Sequence, residues 1–180
     1  NKQTFNADIE THKKRMEMVQ AIGAQHVQVI PKFGRKEELN HDNAAWAYSQ
    51  ICKMAREFNL TPAIIFLNFV KGLERLNDAV DIALISGEAH AQIIPDTYHM
   101  FLGNTSANTL RHIDKKFIAI FQFADAGHEV KPSNKAGLDG QRVLPGDGKL
   151  PLLDYLKPLK EIGYEGCISL ELYNKSYHKL

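Results

Sequence analysis

The sequence has almost no excess of either charge. In 180 residues, 22 Lys and Arg stand against 21 Asp and Glu, for a net charge of +1. That balance argues against a nucleic-acid partner. Cysteine is scarce. Cys52 and Cys167 lie far apart, form no CxxC pair and sit in apolar surroundings. They are expected to be buried free thiols, which points to a reducing, cytoplasmic setting. No apolar run is long enough to span a bilayer, and no signal-peptide pattern opens the chain, so no membrane partner is expected. There is no tandem repeat, low-complexity tract or interdomain linker, so a single domain over residues 1–180 is expected. The first residue is Asn rather than Met, which suggests a trimmed chain, an omitted disordered start or a fragment.

What is present is an ordinary globular composition, 44% hydrophobic and 24% charged, which suffices for one core. Helical spacing runs from Asp8 to Ile22, with Ile9, Met16, Val19 and Ile22 on one face and Lys13, Lys14 and Arg15 toward solvent. It returns from Asp42 to Phe58, with Asp42 as N-cap and Trp46, Ile51, Met54 and Phe58 buried. Gly72 to Ser86 and Leu150 to Ile162 read the same way, the first with Leu73, Leu76, Val80, Ile82 and Leu84 available to packing, the second with Pro158 as a potential kink. Ser106 to Ile113 is a helix or helical turn. Between these lie apolar runs of strand length: His26 to Ile30, Ala63 to Phe69, Ala91 to Ile94, Lys116 to Phe123 and Cys167 to Tyr173. Residues 127–148 form a long polar loop, of the kind that is a functional lid or disordered. Lys32, Arg35 and Lys36 follow the first strand, as plain surface or as an anion-holding loop.

Strand and helix alternate with apolar strands, which means α/β with a parallel sheet. About five strands are visible, whereas a closed (β/α) barrel has eight in ~250 residues. Either an open doubly wound sheet or the C-terminal part of a TIM-type barrel satisfies that count.

Polar groups recur where the apolar runs stop. Gln92-Ile93-Ile94-Pro95 ends in Asp96, with His99 a turn later. Gln122 and Asp125 end the next strand, and Glu171 sits within Ser169-Leu170-Glu171-Leu172-Tyr173. Strand C-termini are where a barrel keeps its chemistry. A carboxylate in an apolar strand must be paired, protonated or metal-bound. Alternation puts Glu171 on the face of Ser169 and Tyr173. Taken singly, Asp96 could cap a turn, His99 could pack beside it, and Glu171 could pair with an Arg. Taken together they point to a site.

Asp96-Thr97-Tyr98-His99, Arg142-Val143-Leu144-Pro145-Gly146-Asp147-Gly148, Ile162-Gly163-Tyr164 and Ser169-Leu170-Glu171-Leu172-Tyr173 resemble, in this order, the xylose-isomerase-like sugar isomerase/epimerase family. Tyr173 to Leu180 looks most like the inosose (2-keto-myo-inositol) isomerase branch. The resemblance implies a TIM-type barrel, of which this chain holds about the last five β/α units. It implies a divalent metal, with Asp96, Gln122 and Glu171 as ligands. Glu171 would also be a catalytic base, and His99 and Arg142 would contact substrate. Gln122 stands where many members carry His, which favours Mn²⁺, Mg²⁺ or Co²⁺ over Zn²⁺. The implied reaction is isomerisation or epimerisation of a ketose or inosose by proton transfer through an enediolate.

One position departs from the family. Ile65 stands where members usually carry a Glu that serves both as metal ligand and as second catalytic carboxylate. Such a loss impairs that chemistry. The alternative is a non-catalytic descendant that binds a polyol or another protein. The DNA-cutting zinc relatives of the fold fit poorly, because neither a basic surface nor a His cluster is present. Unpaired sheet edges predict a homo-oligomer.

Overall fold

The computed structural model describes residues 5, 7–31, 37–133, 135 and 137–179, with the side chains of 178 and 179 excepted. The basic stretch containing Lys32, Arg35 and Lys36, and residue Leu180, lie outside the described residues. In chain order the elements are α1 (Ile9–Ala21), β1 (His26–Val29), α2 (His41–Arg56), β2 (Thr61–Ile65), α3 (Leu76–Ile85), β3 (Gln92–Ile94), α4 (Thr97–Leu102), β4 (Phe121–Phe123), β5 (Asp125–Ala126), β6 (Arg142–Val143), α5 (Leu152–Glu161) and β7 (Ile168–Leu170).

β1 pairs with β2 and β2 with β3, all parallel. β3 continues to the next strand through two parallel bridges, Ile93 to Ile118 and Asp96 to Gln122. β4 then pairs parallel with β7. Spatial order therefore follows chain order without a reversal. A doubly wound sheet must reverse at its switch point, so this is the winding of a barrel wall.

Alternation along β2 shows how the wall is filled on both sides. Ile64 and Phe66 face the helices, where Tyr48, Leu76, Ala79, Ile82 and Leu110 meet them. Ala63, Ile65 and Leu67 face the other way, onto Ile94 and Ala119. Ile65 lies directly opposite Ile94 in register. It is thus an inner-face residue, two positions below the level of Asp96.

Several expected boundaries moved, each for a local reason. α2 begins at His41, and Asn40 rather than Asp42 caps it, its Oδ1 accepting the Asn43 N–H at 2.9 Å. Its buried residues are Ala45, Tyr48, Cys52, Met54 and Ala55, with Trp46, Ile51 and Phe58 only half-buried. α3 starts at Leu76 because the Asp78 carboxylate accepts the backbone N–H of Glu74 and Arg75, both at 2.9 Å, and holds the preceding residues in a turn. Leu84, expected to pack, is exposed, as is Ile22, which follows α1. Ser106 to Ile113 is realised as a 3₁₀ turn, Ala107–His112. Cys52 is buried as expected, but Cys167 is exposed. It precedes β7, whose Ile168 and Leu170 are also exposed. All three residues of β7 are exposed among the described residues.

The described residues of the loop over 127–148 are more ordered than its composition predicts. Asp139–Gln141 forms a 3₁₀ turn, and β6 pairs antiparallel with β5. Asp125 explains the order. Its Oδ1 accepts from the N–H of Ala126 at 2.7 Å and of Leu150 at 2.8 Å, and its Oδ2 accepts from Gly146 and Gly148, both at 3.1 Å. A Cβ at Gly148 would collide with the Ala126 carbonyl and the Asp125 carboxylate. Asp125 is therefore a loop clamp rather than a member of the site. Asp125→Ala should cost about 3 kcal/mol, because it strands buried donors; urea denaturation measures it. A cost below ~1 kcal/mol would show that the loop finds its path without the clamp.

Candidate functional site

β3 and β4 run side by side, so the residues at their C-terminal ends are neighbours: Asp96 stands opposite Gln122. β7 adds Glu171 from just beyond its last residue, slightly later than the sequence implies. The three expected ligand residues are thus brought to one rim. Gln122 Nε2 donates to Glu171 Oε1 at 3.0 Å. The Asp96 and Glu171 carboxyls are close enough to influence each other's protonation. Tyr173, on the face that alternation assigns to it, donates its hydroxyl to Glu171 Oε1 at 3.2 Å.

Asp96 does two jobs. Its Oδ1 caps α4 by accepting the His99 N–H at 2.8 Å. Its two oxygens also receive Arg142 Nη1, at 3.3 and 2.9 Å, inside a fully buried ion pair. The capping role and the polar-site role are compatible because a carboxylate has several lone pairs.

Arg142 is the hub. Nη2 reaches Glu171 Oε2 at 3.3 Å and Asp139 Oδ1 at 3.2 Å, and Nε reaches Asp139 Oδ1 at 3.3 Å. The guanidinium lies 4.5 Å from the Tyr98 ring centroid, a cation–π contact. Asn174 donates to the Arg142 carbonyl at 3.0 Å. Every guanidinium nitrogen is engaged by protein carboxylates. The geometry therefore makes Arg142 an organiser of the acidic groups, where the resemblance led us to expect a grip on substrate.

His99 is buried among Phe66, Phe69 and Tyr98 in edge-on contacts. Its Nδ1 is 2.8 Å from Asn68 Oδ1, and its Nε2 is 3.8 Å from Asp139 Oδ1. Asn68 also donates to the Ser133 carbonyl at 2.6 Å. Its oxygen is committed to His99 and is no candidate ligand.

These surroundings set the protonation states. Burial would raise the Asp96 carboxyl, but the Arg142 charge, His99 and the capping N–H outweigh it and hold the group below its usual range. Burial, followed by the neighbouring Asp96 charge, pushes Glu171 up to about 7 against the pull of Arg142. Burial also depresses His99, so its ring is neutral near pH 7 despite Asp96. The cluster thus contains one carboxylate kept charged and one poised to take or give a proton.

The sequence did not point to Asp139 or to the roles of Asn68 and Tyr98. Asp139 carried a signal, since it lies three residues before Arg142 and meets it across the 3₁₀ turn. Asn68 and Ser133 are 65 residues apart, and no spacing announces that contact.

The sequence pattern of the xylose isomerase-like TIM barrel family matches residues 1–179. The chain belongs to that family. Similar proteins include the inosose isomerase of Bacillus velezensis, 26% identical over 176 residues, covering 96% of this chain and 62% of that one. The inosose isomerase of Bacillus subtilis is 25% identical over 180 residues, covering 97% and 63%. The chain thus spans less than two thirds of these relatives' length. Among solved structures, the IolI protein with a bound zinc atom superposes with a TM-score of 0.88 at 22% identity, over 100% of this chain and 65% of that one. An L-ribulose 3-epimerase superposes with a TM-score of 0.74 at 17% identity, over 93% and 55%. Both confirm the barrel fold.

Among the described residues, no group of three His, Cys, Asp or Glu side chains is arranged to hold a metal ion. The reason is local: Gln122 is an amide, and Ile65 is a hydrocarbon on the inner face. What this xylose isomerase-like wall retains is a mixed set, two carboxylates and an amide. Gln122 Oε1 is buried and has no hydrogen-bond partner, a costly arrangement unless a donor or a cation meets it. Asp96, Gln122 and Glu171 therefore fit a hard cation held by oxygen atoms, with its remaining positions left to water or ligand.

Proposed function

We propose that this protein binds a divalent cation through Asp96, Gln122 and Glu171, and acts on a ketose, inosose or related polyol by proton transfer. The unpartnered Gln122 Oε1 beside two carboxylates carries the reading. A bound Mn²⁺, Mg²⁺ or Co²⁺ would polarise a carbonyl oxygen and acidify the adjacent C–H. Zn²⁺ belongs among the metals tested, since the IolI neighbour was solved with one.

The chain's own residues supply the rest. Glu171 removes the proton next to the carbonyl and returns it to the neighbouring carbon. Arg142 holds Glu171 Oε2 and Asp96 in place, and Tyr173 holds Glu171 Oε1. His99 orients a substrate hydroxyl. Ile65 provides no second carboxylate from β2, so the rate should be low. The relatives named inosose isomerase support the substrate class.

Incubation of the Mn²⁺-loaded protein with a ketose or inosose in D₂O should place deuterium next to the carbonyl. Glu171→Gln should cut the rate at least ~100-fold. Binding without deuterium uptake would instead support a non-catalytic polyol-binding role, which the loss of the carboxylate at Ile65 favours. Neither binding nor uptake would end both readings.

β7 exposes Ile168 and Leu170 at a sheet edge. Pairing of such an edge with a second copy is the expected association. Light scattering should give a mass above that of one chain; a monomer mass at working concentration would contradict it.

A further inference from the structure

We infer that Asn68 is a positioning residue that locks the His99 ring in its Nδ1–H tautomer, so that Nε2 presents a lone pair to the site and takes a hydroxyl donor rather than an anion. The choice follows from the amide. The Ser133 atom facing Asn68, 2.6 Å away, is its carbonyl oxygen, which can only accept, so the Asn68 NH₂ must face it. Asn68 Oδ1 then faces His99 Nδ1 at 2.8 Å, and an oxygen can only accept. The Nδ1 atom must carry the hydrogen. Turning the amide over would set two carbonyl oxygens against each other at 2.6 Å, with nothing to gain at His99.

The lock is well built. Asn68 is almost fully buried, directly after the inner-face run of β2. Through one side chain it joins the end of β2, helix α4 and the loop through Ser133. Phe66, Phe69 and Tyr98 stand edge-on around the imidazole and restrict its rotation.

The consequence appears at the other nitrogen. Nε2 faces Asp139 Oδ1 at 3.8 Å, too far for a hydrogen bond. That carboxylate already accepts from Arg142. Two acceptors facing each other favour a donor between them. A neutral hydroxyl meets that need, whereas a phosphate or carboxylate would meet a lone pair and a negative charge. The ligand class rests on the proposed polyol reading; the tautomer does not.

The test is a two-bond ¹H–¹⁵N correlation spectrum of the protein with ¹⁵N-labelled histidine, the His99 signals being identified by their loss in His99→Gln. The wild type should show a protonated Nδ1 and an unprotonated Nε2. Asn68→Ala should lose this pattern and show protonated Nε2. An Nε2–H pattern in the wild type, or an unchanged pattern in Asn68→Ala, would overturn the lock. If Asn68→Ala does not fold, the wild-type spectrum decides: Nδ1–H supports the lock and Nε2–H overturns it. Separately, calorimetry should show that a neutral cyclitol binds at least tenfold more tightly than its phosphate ester. Equal or reversed affinities would overturn the ligand class and leave the tautomer standing.

Discussion

Arg142→Leu should destabilise the protein by about 3–5 kcal/mol, the cost of leaving a buried charge without its partner. Asp96 is fully buried, and its compensating charge is the guanidinium at 2.9 Å. Removing that group also releases Asp139 and Glu171. Against a typical total stability of about 5–15 kcal/mol, much of the protein would be unfolded at modest denaturant. Lysine should not rescue it, because an ammonium cannot fork between Asp96, Asp139 and Glu171. Adding Asp96→Asn to Arg142→Leu should recover most of the loss, since Asn still caps α4 and carries no charge. Urea unfolding of the single and double variants measures the coupling. A loss below ~1 kcal/mol, or a double variant no more stable than Arg142→Leu, would show that Asp96 does not depend on Arg142.

The second large effect is expected at Ile65. Its side chain lies among Ala63, Leu67, Ile94 and Ala119. Ile65→Glu places a carboxyl in that apolar layer and should cost about 3 kcal/mol without metal. The same carboxyl lies on the inner face below Asp96 and can extend toward the rim. A divalent cation at 100 times its Kd stabilises a protein by about 2.7 kcal/mol, or a Tm shift on the order of 5–10 °C at this size. Ile65→Glu should therefore start below the wild type and gain more from Mn²⁺. Thermal unfolding with and without Mn²⁺ checks both halves. If Mn²⁺ raises the two Tm values equally, Ile65 does not face the cation site.

The wall of the barrel was legible because its strands are apolar runs separated by helical spacing, and the winding could then be checked by register. Strand ends were less legible. Phe66 to Phe69 continue the apolar run of β2, yet Leu67 N–H bonds the Leu73 carbonyl and Val70 N–H the Leu67 carbonyl, as in a turn. Hydrophobicity reports burial, and burial does not require sheet pairing.

The rim was legible where chemistry sits at the end of a strand: Asp96, Gln122 and Glu171 do meet. Of the groups that control them, Arg142 was named in advance but for a substrate contact, and Asp139 and Ser133 were not named, because they arrive from elsewhere. Arg142, Asp139 and Ser133 come from a stretch whose composition reads as a mobile loop. Its order depends on Asp125, whose hydrogen bonds to Gly146, Gly148 and Leu150 are invisible to any local pattern. Cys167 was misread because apolar neighbours imply cover, and β7 has little on that side.

The most direct measurement is a calorimetric Mn²⁺ titration of the wild type, Gln122→Leu and Glu171→Gln. The wild type should bind one cation per chain, with affinity lowered at least tenfold in each variant. A folded wild type that takes up no cation, or equal binding in all three proteins, would contradict a cation held jointly by Asp96, Gln122 and Glu171.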